Sequence, residues 1–248
     1  MGFLDFLFKR DSGSGSEAAL MRHGERVLDK RAMSPDRFAS IEYLCKIQTE
    51  EGWRALLPRY NFTVDPGITD REEKQYIFDH ITRDADSAVE PVKEFLRKSN
   101  AINWPIKMLR ELLSAEDFVA EMLSVLAAEG TDYQKNPERK IQCIMAVEEM
   151  PDPRIAPAVV GFLDDVNEDT RFHTVRTLLK QGDATVVGAL AALLAREDSM
   201  RIKTTIADGL AETKWAVEGD AAEKVRAVLP KLPTGPYSFG SDGVISKR

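Results

Sequence analysis

The sequence predicts an all-α solenoid of about six helix pairs, on three observations. A unit of thirty-odd residues recurs along the chain. Each copy splits into two apolar stripes of helical period, and the breaks between stripes hold residues that end one helix and begin another. Self-similarity at a fixed period of this length marks stacked repeats, in which no unit buries its apolar face alone. The clearest copy is Arg171-Phe-His-Thr-Val-Arg-Thr-Leu-Leu-Lys-Gln-Gly182-Asp183, followed by Ala184-Thr-Val-Val-Gly-Ala-Leu-Ala-Ala-Leu-Leu194.

The chain opens on Met1-Gly-Phe-Leu-Asp-Phe-Leu-Phe-Lys-Arg10. Wound as a helix, Phe3, Leu4, Phe6, Leu7 and Phe8 spread over an arc of about 200°, with Gly2, Asp5 and Lys9 opposite. Residues 1–11 therefore read as an amphipathic docking segment. Such a face would suit a membrane interface, a groove on a partner or the end of the solenoid itself. At this length its membrane contact would be weak and peripheral. Asp5 interrupts the apolar run and Lys9-Arg10 follow it, an order opposite to that of a secretory signal. Gly2 lacks the Ser or Thr at position 6 that myristoylation wants. Residues 12–16, Ser-Gly-Ser-Gly-Ser, read as a flexible linker. Residues 17–33 read as a capping helix, with Leu20, Val27 and Leu28 on one side.

The repeats occupy residues 34–230. Anchors that open each first helix fall at Arg37, Lys74, Ile106, Lys140, Arg171 and Lys203, spaced 37, 32, 34, 31 and 32 residues apart. Seven positions on stand Leu44, Ile81, Leu113, Val147, Leu178 and Leu210. Twelve positions on stand Thr49, Asp86, Phe118, Asp152, Asp183 and Trp215, of which three are Asp. A carboxylate there suits a helix N-terminus, because it accepts from free backbone N–H groups and complements the dipole. In the clearest copy the first helix shows Phe172, Val175, Leu178 and Leu179 on one face, and the second Val186, Val187, Leu190, Leu193 and Leu194. Gly182-Asp183 between them is a stop followed by a start. Pro35, Pro105, Pro137 and Pro153 fall at or just before first turns, where a missing N–H costs nothing.

This pattern resembles the HEAT family, in particular the short bacterial type called phycobilisome-lyase-like HEAT repeats. The resemblance covers about residues 35–230 and rests on two helices per unit, the period, and Arg171, Leu178 and Gly182-Asp183. It implies a right-handed α-α superhelix. It also implies a binding role, since the family is rich in scaffolds and adaptors. Second helices line the concave face in such arrays, so Glu116, Asp117, Glu121 and Glu129 would make an acidic inner patch, although a solvated helix face accounts for the same charges.

Residues 231–248 form an extended tail. Two prolines and three glycines after residue 232 exclude a helix, while Tyr237, Phe239, Val244 and Ile245 flank Gly-Ser-Asp-Gly, a turn between two short extended pieces. The segment is slightly basic and is expected to dock on the acidic body.

Charge and composition limit the function. Residues 34–230 carry 25 Lys and Arg against 35 Asp and Glu, which repels phosphate backbones and excludes nucleic acid as a partner. No stretch approaches the roughly 20 apolar residues of a membrane span. Cys45 and Cys143, 98 residues apart on apolar stripes, read as buried free thiols in a reducing compartment. The three histidines, His23, His80 and His173, have no i, i+4 partner, and no Cys-x-x-Cys occurs. Asp165, Asn167 and Asp169 copy the start of a calcium loop, but Thr170 stands where glycine is needed and Arg176 where an acid is needed. They read as a turn that caps a helix. No catalytic, cofactor-binding or metal-ligating residue is identified, and no cofactor is expected. The chain is thus expected to be a cytoplasmic adaptor or scaffold that binds a protein partner, held peripherally at the inner membrane face by its N-terminal segment. The alternative is a HEAT-type lyase, or a small-ligand binder, that uses the concave groove.

Overall fold

The computed structural model describes residues 4–84, 86–232 and 235–247, with side chains from residue 16 onward except at position 84. The docking side chains proposed at Phe3, Leu4, Phe6, Leu7 and Phe8 therefore lie outside the described residues. The chain divides into two compact units between Ser114 and Ala115. Both are predominantly helical, with thirteen α-helices among the described residues.

The first unit contains α1 (Leu4–Leu28), α2 (Ser34–Ile47), α3 (Glu50–Leu56), α4 (Gly67–Asp84), α5 (Val89–Lys98) and α6 (Asn103–Leu112). The backbone of α1 runs back through the Ser12–Ser16 stretch that the sequence reads as a linker. Helix α1 packs on α2 and α3, α2 packs on α4, and α4 packs on α6, while α3 packs on α5. Thr49 opens α3 by accepting from Gly52 N at 3.2 Å. Proline at Pro35 sits in the first turn of α2, which closes on Gln48 in the left-handed region, φ 46°. A 3-10 turn, Leu57–Asn61, continues α3. The core holds Ile41, Leu44, Trp53, Leu56, Ile77, Ile81, Val92 and Leu96, all fully buried. Trp53 Nε1 has its partner in Ser87 Oγ at 3.0 Å, so the ring is buried without a polar penalty.

The second unit contains α7 (Ala115–Ala127), α8 (Glu138–Val147), α9 (Ile155–Val159), α10 (Glu168–Gln181), α11 (Val187–Arg196), α12 (Met200–Thr213) and α13 (Asp220–Val228). Strands β1 (Tyr237–Phe239) and β2 (Ile245–Lys247) follow. Helix α8 packs on α10 and α10 on α12; α7 packs on α9, and α11 on α13. Asn167 caps α10, its Oδ1 accepting from Thr170 N at 2.9 Å, and Gly182 ends that helix at φ 72°. The calcium-like stretch is thus a helix start. Strands β1 and β2 pair antiparallel in the register Tyr237 with Lys247 and Phe239 with Ile245.

In both units the even-numbered helices from α2 onward carry the anchors, and each begins two to seven residues before its anchor. The residue seven positions after the anchor is fully buried in five of six copies: Leu44, Ile81, Val147, Leu178 and Leu210. The exception, Leu113, is partly exposed and adjoins the boundary between the units.

Candidate functional site

Four of the six anchors, Arg37, Lys74, Lys140 and Arg171, are buried or half-buried charges paired with acids; Ile106 is apolar and Lys203 is half-exposed. Arg37 Nε donates to Glu73 Oε1 at 2.9 Å, and both side chains are buried. Arg59, fully buried, donates to Glu73 Oε2 at 2.8 Å and to Asp70 Oδ1 at 2.8 Å, while its Nη1 donates to Phe62 O at 3.1 Å. Lys74 Nζ completes the cluster on Asp70 Oδ2 at 2.8 Å. Burial pushes the Asp70 carboxyl up, but its bonds from Lys74 and Arg59 outweigh this and hold it below the usual carboxylate range.

The second unit repeats the device. Lys140 and Asp165 have no exposed side-chain surface and meet at 2.6 Å, and Lys140 Nζ also donates to Gly130 O at 3.0 Å. Arg171 forks onto Glu197 through Nε and Nη2, each at 2.8 Å. Glu197 accepts in addition from the backbone N–H groups of Asp198 and Ser199. Burial raises its carboxyl, and the Arg171 and Ser199 hydrogen bonds outweigh it and lower it. Buried charges need this complete pairing. The sequence marks Arg37, Lys74, Lys140 and Arg171 by their recurrence; Arg59 and the distant acids Glu73, Asp165 and Glu197 carry no such signal.

Two grooves open beside odd-numbered helices, one between α3 and α5 and one between α7 and the segment leading into α9. In the first unit a groove of about 340 Å³ lies between α3 and α5, walled by Leu57, Pro58, Pro91 and Phe95. Asn61 and Ser99 close one end through a 2.6 Å hydrogen bond. At the rim Arg54 Nη2 reaches Glu94 Oε1 at 2.9 Å and Glu50 Oε2 at 2.8 Å. In the second unit a groove of about 480 Å³ is lined by Val119, Met150, Pro151 and Pro153. Arg154 bridges its rim, bonded to Asp152 at 2.6 Å and to Glu116 O at 3.2 Å. Apolar walls with a few placed polar groups are the usual form of a binding groove.

The four proposed acidic-patch residues separate. Glu116 and Asp117 are exposed, and Glu116 lines the second groove. Glu121 is buried, because it shares the inward stripe of Phe118, Met122 and Val125 on α7. Glu129 is half-buried and pairs with Arg139 at 3.5 Å. The tail residues come together on the last helices: Ile245 is fully buried, Tyr237 Oη donates to Asp208 Oδ1 at 2.7 Å, and Phe239 lies 5.0 Å from the Arg226 guanidinium. Val244 is only partly covered.

Other titratable groups are local. Burial pushes both thiols up, Cys45 and Cys143 each to about 12, so neither is a nucleophile at neutral pH. His23 stacks on Tyr43 with centroids 4.0 Å apart and meets Ser40 Oγ at 3.0 Å. His80 Nδ1 meets Tyr76 O at 2.8 Å. Burial and then Arg176 lower His173. Among the described residues no group of three or more His, Cys, Asp or Glu side chains is placed to hold a metal ion, and no helix is long and apolar enough to cross a membrane. No family model, no curated protein and no solved structure matches this chain.

Proposed function

We propose that the chain is a HEAT-like repeat protein that acts as an adaptor or scaffold, taking a protein partner on the surface made by its odd-numbered helices. The observation that carries this reading is the pair of grooves. One lies between α3 and α5, the other between α7 and the segment 150–154 that leads into α9; each has proline in its wall, and each has an arginine pinned across its rim. Rigid apolar walls with pre-oriented charge lower the ordering cost of binding an extended or helical segment. Within each unit helices pack at intervals of two, with an anchor in each even-numbered helix from α2 onward, which supports a helical-repeat frame; the right-handed α-α superhelix is what the resemblance to HEAT repeats implies. In this reading residues 1–11 localise the protein, as a weak peripheral contact on a membrane or as a dock on a larger assembly, on the strength of their amphipathic pattern.

The test is affinity capture from cells of the source organism with the wild type and with Lys98→Trp and Glu116→Trp. Both positions are exposed and border a groove. A specific partner should be recovered at about one-tenth of its wild-type level by at least one variant, a loss of roughly 1.4 kcal/mol, while the thermal midpoint stays unchanged. Equal recovery by all three chains would remove the grooves from the function.

A further inference from the structure

Strands β1 and β2 have three residues each. A two-stranded sheet that short is not stable alone in water, so its seat on the second unit must hold it. Three separate contacts do so. At the open end Tyr237 and Lys247 are cross-strand partners, and both donate to one oxygen of α12, Asp208 Oδ1, each at 2.7 Å. In the middle Ile245 is the one buried residue of β2 and has no exposed surface. At the turn Gly243 O accepts from Val217 N at 2.9 Å. Gly243 has φ +78°, and a Cβ there would stand 2.6 Å from Val217 O. Only glycine satisfies both conditions.

The hairpin also has a telling position. Helix α8 packs on α10, and α10 packs on α12, with Gly209 of α12 pressed against Leu179 of α10. Beyond α12 this series has no further helix among the described residues; β2 packs on α12 instead. Val217, Leu229, Leu232 and Ile245 are all buried in this region. A row of helices that simply stops leaves an apolar face prone to continue the row with another molecule, and stacked arrays need a closing element for that reason.

We infer that residues 235–247 are a latched end cap, with Asp208 and Gly243 as its two fastenings, which keeps the α12 face from taking up a second copy of this chain. The second copy is the fitting occupant because the covered face belongs to a helix whose other neighbours, α10 and α11, are helices of the same chain, and each copy brings more of them. The cap is independent of the partner reading above, since it concerns a different face.

The test uses sedimentation velocity over a wide concentration range, with hydrogen exchange at the Val217 amide. Three chains are compared: the wild type, the full chain with Asp208→Ala and Gly243→Ala together, and a chain ending at Leu232. The wild type should sediment at one concentration-independent rate. The shortened chain should associate as concentration rises, and a synthetic peptide of residues 233–248 should reverse this. The double variant should exchange the Val217 amide about tenfold faster, because its opening no longer breaks the fastenings. If the shortened chain keeps its helical circular dichroism and sediments like the wild type, the cap is overturned. If it loses its helices, the double variant decides: association with faster exchange supports the cap, and wild-type sedimentation or unchanged Val217 exchange overturns it.

Discussion

Lys140 and Asp165 show what the recurrent basic residues are for. Both side chains are fully buried, and Asp165 accepts from Asn167 N at 2.8 Å as well as from Lys140. The attraction between two such charges is set largely against the cost of drying them, so the pair adds little net stability over a well-packed apolar pair. Losing one partner is different. Lys140→Met should cost about 3–5 kcal/mol, because it strands the Asp165 carboxylate in the interior. Adding Asp165→Asn should recover most of that loss, since the amide oxygen still accepts from Asn167 N and leaves no charge. Chemical denaturation of the two variants checks this; an equal loss in both would mean that packing, not charge, governs the site. Half of this was legible in the sequence. Lys140 and Arg171 recur at the repeat period, whereas Asp165 and Glu197 lie 25 and 26 residues beyond their partners, in turns where an acid reads as an ordinary cap. The burial of Glu121 was legible, as its spacing of three from Phe118 and four from Val125 puts it on the inward stripe of α7.

At the level of elements, helix ends were the most legible feature. Thr49 and Asp183, twelve positions after their anchors, both accept from backbone N–H groups that open a following turn. One position earlier, Gln48, Gly182 and Lys214 all adopt the left-handed conformation, at φ 46°, 72° and 56°. The same backbone solution closes α2, α10 and α12, yet only α10 uses glycine. A side chain in that region costs roughly 1–2 kcal/mol, and glycine gives part of this back through the greater freedom of its unfolded chain. Lys214→Gly should therefore stabilise the protein by up to about 1 kcal/mol, and Gly182→Ala should destabilise it by about as much. A Cβ at Gly182 meets nothing within 4 Å, so the second change isolates the backbone term. Shifts of the same sign in the denaturation midpoints would contradict the argument. The grooves were less legible, because Pro153 reads locally as helix punctuation and acquires a wall opposite it only through packing.

For the whole molecule the question is how far each unit stands by itself. Buried ion pairs join α2 to α4 and α10 to the turn before α12 without leaving their own unit. The second unit, residues 115–248, has its own core of Phe118, Met122, Ile144, Leu178, Leu190, Leu194, Ile206 and Leu210, and its own closing hairpin. A chain of that size buries about two-thirds of the surface it exposes when unfolded, which suffices for a stable domain without metal or disulfide. Residues 115–248 expressed alone should therefore show the circular dichroism of a helical protein and a single cooperative thermal transition. Removing the Lys140 charge should lower that midpoint by as much as it lowers the matching transition of the full chain. A fragment that is unfolded, or that melts without a cooperative transition, would mean that the second unit depends on the first for its fold. The sequence pattern runs through residues 34–230 without a visible break, so this division is one that only the packing reveals.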